Sequence, residues 1–221
     1  MRTAQSRRDW PTPGAYEIAL ASRELAYLQE LERTGTELQR TAAQTVSGML
    51  EARSAARAAF AGHTSGPTDG TVADVVVQDG PGLPPANLLA LPGWKELGEL
   101  DTPHHPTFQH DARTELTRLN VPSDAHDYLI RFLLESVDEI EALTASAYQT
   151  GPRMAEFPKA VTDPTPPEAT DPGVLAAWLL RQSTLRMLHE LGVPVDTYFE
   201  QTLLNTGIGT NVLPYRWLEA K

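Results

Sequence analysis

The chain of 221 residues contains no cysteine, which excludes disulfides, thiolate nucleophiles, thiolate zinc sites and cysteine-ligated iron-sulfur clusters. Lysine is nearly missing as well: Lys95, Lys159 and Lys221 are the only three among 18 basic residues. That arginine bias, together with abundant alanine, threonine and proline, points to a GC-rich bacterial or phage genome. No run approaches the roughly 20 apolar residues a membrane helix needs. Met1 to Arg8 is polar where a secretory leader has an apolar core, and Arg7-Arg8 leads into Asp9, Trp10 and Pro11 rather than into an export signal. The expected location is the cytoplasm, or a particle assembled there, with no membrane partner. Positive charge is also short, at 18 Lys and Arg against 29 Asp and Glu, for a net charge of -11. The deficit sits in residues 63–172, where 6 basic groups face 18 acidic ones. An acidic middle repels a phosphate backbone and no stretch concentrates enough arginine to track one, so nucleic acid is not an expected partner.

Catalytic signatures are missing too. Gly207-Ile208-Gly209-Thr210 has neither the third glycine of a dinucleotide loop nor the lysine of a phosphate loop. His189-Glu190 resembles the opening of a metalloprotease helix, but the position four after His189 is Val193. There is no Gly-x-Ser-x-Gly elbow. Glu135, Glu139 and Glu141 have no histidine at di-iron spacing and read as a solvated acidic face. The one cluster with metal-ligating chemistry is His104, His105, His110 and Asp111, with His126-Asp127 further along; imidazoles and carboxylates at that density suit zinc or iron. Adjacent His104 and His105 lie between prolines and cannot easily face one ion, so no metal and no cofactor is the favoured expectation. A helical metal-dependent enzyme built on that cluster is the alternative.

Proline is absent from Ala15 to Ala61, and there the chain has its most informative feature, about 47 residues that read as one long amphipathic helix. With Leu28 as position a of a heptad, Ala21, Leu28, Gly35, Ala42, Met49 and Ala56 fall on a, and Leu31, Leu38, Thr45, Ala52 and Ala59 on d. This seam is apolar but small, which suits close approach by another helix. Gly35, between Thr34 and Thr36, is the soft point at which the rod bends or folds into a hairpin; its place on the seam favours a continuous helix. Leu28, Leu31, Gly35, Leu38, Ala42 and Met49 are therefore candidate interface residues. Trp10 and Trp217, in terminal segments, are candidate interface anchors, while Trp94 and Trp178 read as core.

The remaining divisions follow from breakers. Residues 1–14 form a polar tip, 15–62 the long helix, and 63–107 a Gly/Pro-rich wrap holding the only strand signal, Thr71 to Gln78. Residues 108–157 form a helical core, with a helix from Phe108 to Asn120 and a second capped by Ser123 and running to about Thr150. Tyr128, Leu129, Ile130, Phe132, Leu133, Leu134, Val137, Ile140 and Leu143 give that second helix a broad apolar surface. Residues 158–172 are a proline-rich connector, expected to be exposed and to separate two packed units. Asp171-Pro172 opens a helix closed by Gly192, Asp196 caps the last one, and 173–221 ends in an apolar tail. The fold class is mainly α: a long N-terminal helix plus a C-terminal helical bundle, with at most one short strand or small β ribbon. The expected function is a structural or adaptor subunit that oligomerises or joins a larger assembly with protein partners, a virion-associated one included.

Overall fold

A computed structural model describes residues 13–64, 106–150, 161–168 and 171–205, with side chains over 20–56, 107–144, 161–168 and 171–205. Every regular element among the described residues is helical: α1 (Pro13–Thr34), α2 (Glu37–Thr64), α3 (Pro106–Arg118), a 3-10 turn (Ser123–Ala125), α4 (His126–Thr150), α5 (Pro172–Glu190) and α6 (Thr197–Phe199), which runs on into a π turn (Glu200–Leu204). The expected strand Thr71 to Gln78, most of the wrap, Trp10, Trp94 and the tail from Thr206 lie outside the described residues.

The long helix is two helices, not one. At Gly35 the amide still donates to Leu31 O at 2.8 Å, and the chain then turns. Thr36 and Gln39 make a reciprocal capping box: the Gln39 amide donates to Thr36 Oγ1 at 3.3 Å and the Thr36 amide to Gln39 Oε1 at 2.9 Å. Two helix-terminal donors are thereby satisfied, and Glu37 places a carboxylate in the first turn of α2, where the helix dipole favours it. The halves fold back as a hairpin. Ser47 Oγ donates to Glu32 Oε1 at 2.9 Å, although fifteen residues of straight helix would set them about 22 Å apart. In α1 the buried face keeps the heptad, with Ala21 and Leu28 buried and Leu31 half-buried. In α2 it does not: Ala42, Ala43, Val46, Leu50 and Arg53 are buried while Thr45 and Ala52 are exposed. A fresh helix start sets its own rotation against the core, so the register does not carry across the turn.

α3 and α5 both end in left-handed C-caps. Asn120 (φ 57°) follows α3, and the Val121 amide returns to Leu116 O at 2.9 Å; Gly192 (φ 89°) follows α5, and the Val193 amide returns to Leu188 O at 3.0 Å. In each case the two residues so joined are buried, which adds the apolar contact typical of this cap. Ser123 does not cap α4 by itself but opens the 3-10 turn that feeds it. Asp171 caps α5 as expected, its Oδ1 accepting from the Gly173 amide at 2.7 Å with proline at the first helical position.

Among the described residues the core has two apolar clusters stacked along the helix axes. The first joins Leu20 and Ala21 of α1, Phe108, Ala112 and Leu116 of α3, Tyr128 to Val137 of α4, Met187 and Leu188 at the end of α5 with Leu191 and Val193 just after it, and Phe199, Leu203 and Leu204. The second joins Leu28 of α1, Ala42 to Leu50 of α2, Ile140 and Leu143 of α4, Val161, and Leu175 to Leu180 of α5. The N-terminal half of α4 shares a cluster with the C-terminal half of α5 and the reverse, so these two helices run antiparallel through both. The connector does not stand apart from this packing. Val161 is fully buried in the second cluster and Trp178 Nε1 donates to Asp163 O at 2.8 Å, so its described part is docked on α5.

Candidate functional site

Between the two clusters each central helix changes character. On α1 the change comes at Glu24, on α4 at Ser136 and Glu139, on α5 at Arg181, Ser183 and Thr184, and on α2 Arg53 points into the bundle. These residues make a polar layer at mid-height, and it holds the buried charges of greatest interest. A buried charge costs several kcal/mol unless it is paired and hydrogen-bonded. Each is paired across helices. Arg53, whose side chain is 8% exposed, forms a two-pronged ion pair with Glu139, its Nε donating to Oε1 at 3.0 Å, and stacks on the Phe132 ring at 5.6 Å. Arg181, 2% exposed, donates to Glu200 Oε2 at 2.5 Å and to Asn205 Oδ1 at 3.2 Å. Glu24 accepts from Ser183 Oγ at 2.9 Å and from Arg186 Nη2 at 2.6 Å, fastening α1 to α5. Burial works against the charge on Arg186, and the hydrogen bonds and charge of Glu24 more than offset it, so the guanidinium pKa lies above its ordinary value. Ser136 and Thr184 return their hydroxyl protons to Phe132 O and Leu180 O of the preceding turn, at 2.8 and 2.9 Å.

At one edge of this layer lies a groove of about 300 Å³ between α1 and α5, lined by Leu20, Arg23, Glu24, Leu185, Arg186, Met187, His189 and Glu190. Its floor is apolar and its rim charged. Tyr27, 51% exposed, lies 5.3 Å beneath the Arg186 guanidinium beside it. A second surface network joins the end of α3 to the start of α6. Arg118 makes a two-pronged pair with Asp196 at 2.8 Å, a third hydrogen bond to Glu115 at 2.8 Å, and stacks on Tyr198 at 5.3 Å. Arg118 and the Phe199 amide together hold the Asp196 carboxyl below the usual carboxylate range, and Arg118 itself is held above its ordinary value.

The sequence candidates disperse across this structure. Leu28 and Ala42 are fully buried in the second cluster, and Leu31, Leu38 and Met49 are partly buried against it, so the seam serves this chain's own packing. Gly35 forms the hairpin turn. Trp178 is buried, as read from the sequence, while Trp10 and Trp217 lie outside the described residues. Of the metal candidates, His104 and His105 also lie outside them; His110 is on the exposed face of α3 and Asp111 is half-buried next to it. Among the described residues no group of three or more potential ligands converges. His126 is buried and its Nε2 lies 2.9 Å from Val121 O, while Asp127 pairs with Arg113, so both tie the α3–α4 corner together. The supposed acidic face of α4 is a correction: Glu139 is the partner of Arg53 and Glu141 is 6% exposed, because α4 is surrounded and has little free surface on that side. Arg53, Arg181 and Glu24 carried no sequence signal beyond a charge inside an apolar stripe. The pattern Thr36-x-x-Gln39 did carry one, for the helix start. Comparison with family models, curated proteins and solved structures gives no match.

Proposed function

We infer that the chain is a helical structural or adaptor subunit that joins a larger assembly through copies of itself or through other proteins. The observation that supports this reading is the polar layer. Its charged groups are spent on one another across α1, α2, α4, α5 and the π turn, which makes a cross-fastened frame rather than a reactive centre. On this reading the heptad seam is not the surface of association, since Leu28 and Ala42 lie in the chain's own core. That role passes to the terminal segments of the sequence, with Trp10 and Trp217 as the proposed aromatic anchors. The setting proposed from composition is bacterial or phage cytoplasm, a virion-associated particle included. Light scattering on the full chain tests the reading, with stoichiometric co-purification as its second arm. The expected result is a mass above the 24.2 kDa of one chain, or a stoichiometric partner, with either lost in Trp10→Ala/Trp217→Ala. A partnerless monomer overturns it.

A further inference from the structure

The last helix departs from regular winding at one place. The Glu200 amide donates to Asp196 O at 3.0 Å in the α pattern, and the Asn205 amide then donates to Glu200 O at 3.0 Å, five residues back. A π segment of this kind is a local insertion in an α-helix with poorer geometry of its own, so something outside the helix has to favour it. Arg181 of α5 is placed to do so. Its side chain is 3% exposed, and the guanidinium donates to Glu200 Oε2 at 2.5 Å and to Asn205 Oδ1 at 3.2 Å. In an α-helix residues five apart stand about 140° from each other around the axis. The i to i+5 pattern brings them closer to one side, which favours both acceptors meeting a single guanidinium. A buried cation with five donors, bonded among the described residues to Glu200 and Asn205, rewards that register.

We propose that this clasp is the pin of a two-register switch in the last helix, with Arg181 holding the π form through Glu200 and Asn205 together. When Asn205 is released the segment rewinds to α. The residue-205 amide passes from the Glu200 carbonyl to that of Gln201, and the helix end at Asn205 turns by about 100° and moves about 1.5 Å along the axis. The switch sets the orientation of the helix end at Asn205 and does not depend on the adaptor reading.

Scalar couplings across hydrogen bonds, read between amide nitrogen and carbonyl carbon, identify the acceptor directly. In the wild-type chain the residue-205 nitrogen is expected to couple to the Glu200 carbonyl. Asn205→Ala leaves the Arg181–Glu200 pair in place and is expected to move the coupling to the Gln201 carbonyl; Asn205→Asp, which keeps an acceptor for Arg181, is expected to retain the Glu200 coupling. Coupling to Gln201 already in the wild type overturns the proposal, and so does its loss from Glu200 in Asn205→Asp. Coupling to Glu200 that survives in Asn205→Ala also overturns it, since burial of Leu203 and Leu204 would then set the register unaided.

Discussion

Two glycines of the hairpin show how differently one residue type acts. A Cβ at Gly35 would lie 2.5 Å from Leu31 O and 2.9 Å from Gln39 Cβ, inside the tightest point of the turn. Gly35→Ala is therefore expected to destabilise the fold by about 1–3 kcal/mol, because a backbone carbonyl has to move. At Gly48, within α2 and exposed, a Cβ meets nothing within 4 Å. Gly48→Ala is expected to stabilise by about 0.5–1 kcal/mol through helix propensity. Urea denaturation of the two variants checks both signs, and equal effects would contradict the geometry. Asp196 gives a pH dependence at the same scale. Its folded pKa is lowered by Arg118 and by the Phe199 amide, so the stability it contributes is fully present above its unfolded value of about 4 and is lost as pH falls through the folded value. Asp196→Asn is expected to lower the melting temperature at pH 7 and to flatten the decline in stability below pH 4; an unchanged acid limb would remove Asp196 from that role.

Pairs of helices are held by different chemistry at different heights. α2 meets α4 through the Arg53–Glu139 pair, with side chains 8% and 23% exposed. Glu139→Gln leaves the Arg53 charge without its counter-ion and is expected to cost roughly 2–4 kcal/mol, whereas Arg53→Met with Glu139→Leu removes both charges and is expected to recover most of that. Chemical denaturation of the two proteins decides the point, and a double variant no better than the single one would show that packing around Phe132 matters more. In the hairpin, Ala42 is buried without exposure in the same cluster as Leu28. Ala42→Glu is accordingly expected to lose at least about 2 kcal/mol of stability at unchanged particle mass, a result separable by light scattering from disruption of a contact between chains.

For the molecule as a whole, α1, α4 and α5 are shared by both clusters, so neither cluster is a unit that packs alone. Residues 161–168 show the consequence. Despite three prolines they are tied down by Val161 in the core and by Asp163, which accepts from Trp178 through its carbonyl and from the Thr165 amide through its side chain at 2.9 Å. Limited proteolysis read by mass spectrometry is expected to leave this stretch intact while the hairpin–bundle core persists. Prompt cleavage between Val161 and Glu168 would mean that the docking seen here is too weak to protect it.

The helical class and several helix boundaries were legible in the sequence because they depend on local chemistry. Asp171-Pro172, Asp196 and Gly192 act within a few residues of themselves, and an apolar stripe as broad as that from Tyr128 to Leu143 has to be buried somewhere. The turn at Gly35 was legible in principle through Thr36 and Gln39, but a heptad running through the glycine masked it, since a continuous rod and a hairpin with the same stripe satisfy the same periodicity. What the tertiary structure alone decided is which surface covers the stripe. A small-residue seam buries itself equally well against another chain or against its own other half, and Leu28 and Ala42 share one buried cluster because the turn folds α2 back on α1. The pairing of Arg53 with Glu139, 86 residues apart, and of Glu24 with Arg186, 162 apart, belongs to the same category. Charges within apolar stripes look like flaws in a periodic pattern until the helices stack and their heights coincide, because ion pairing depends on distance in space, which local sequence does not encode.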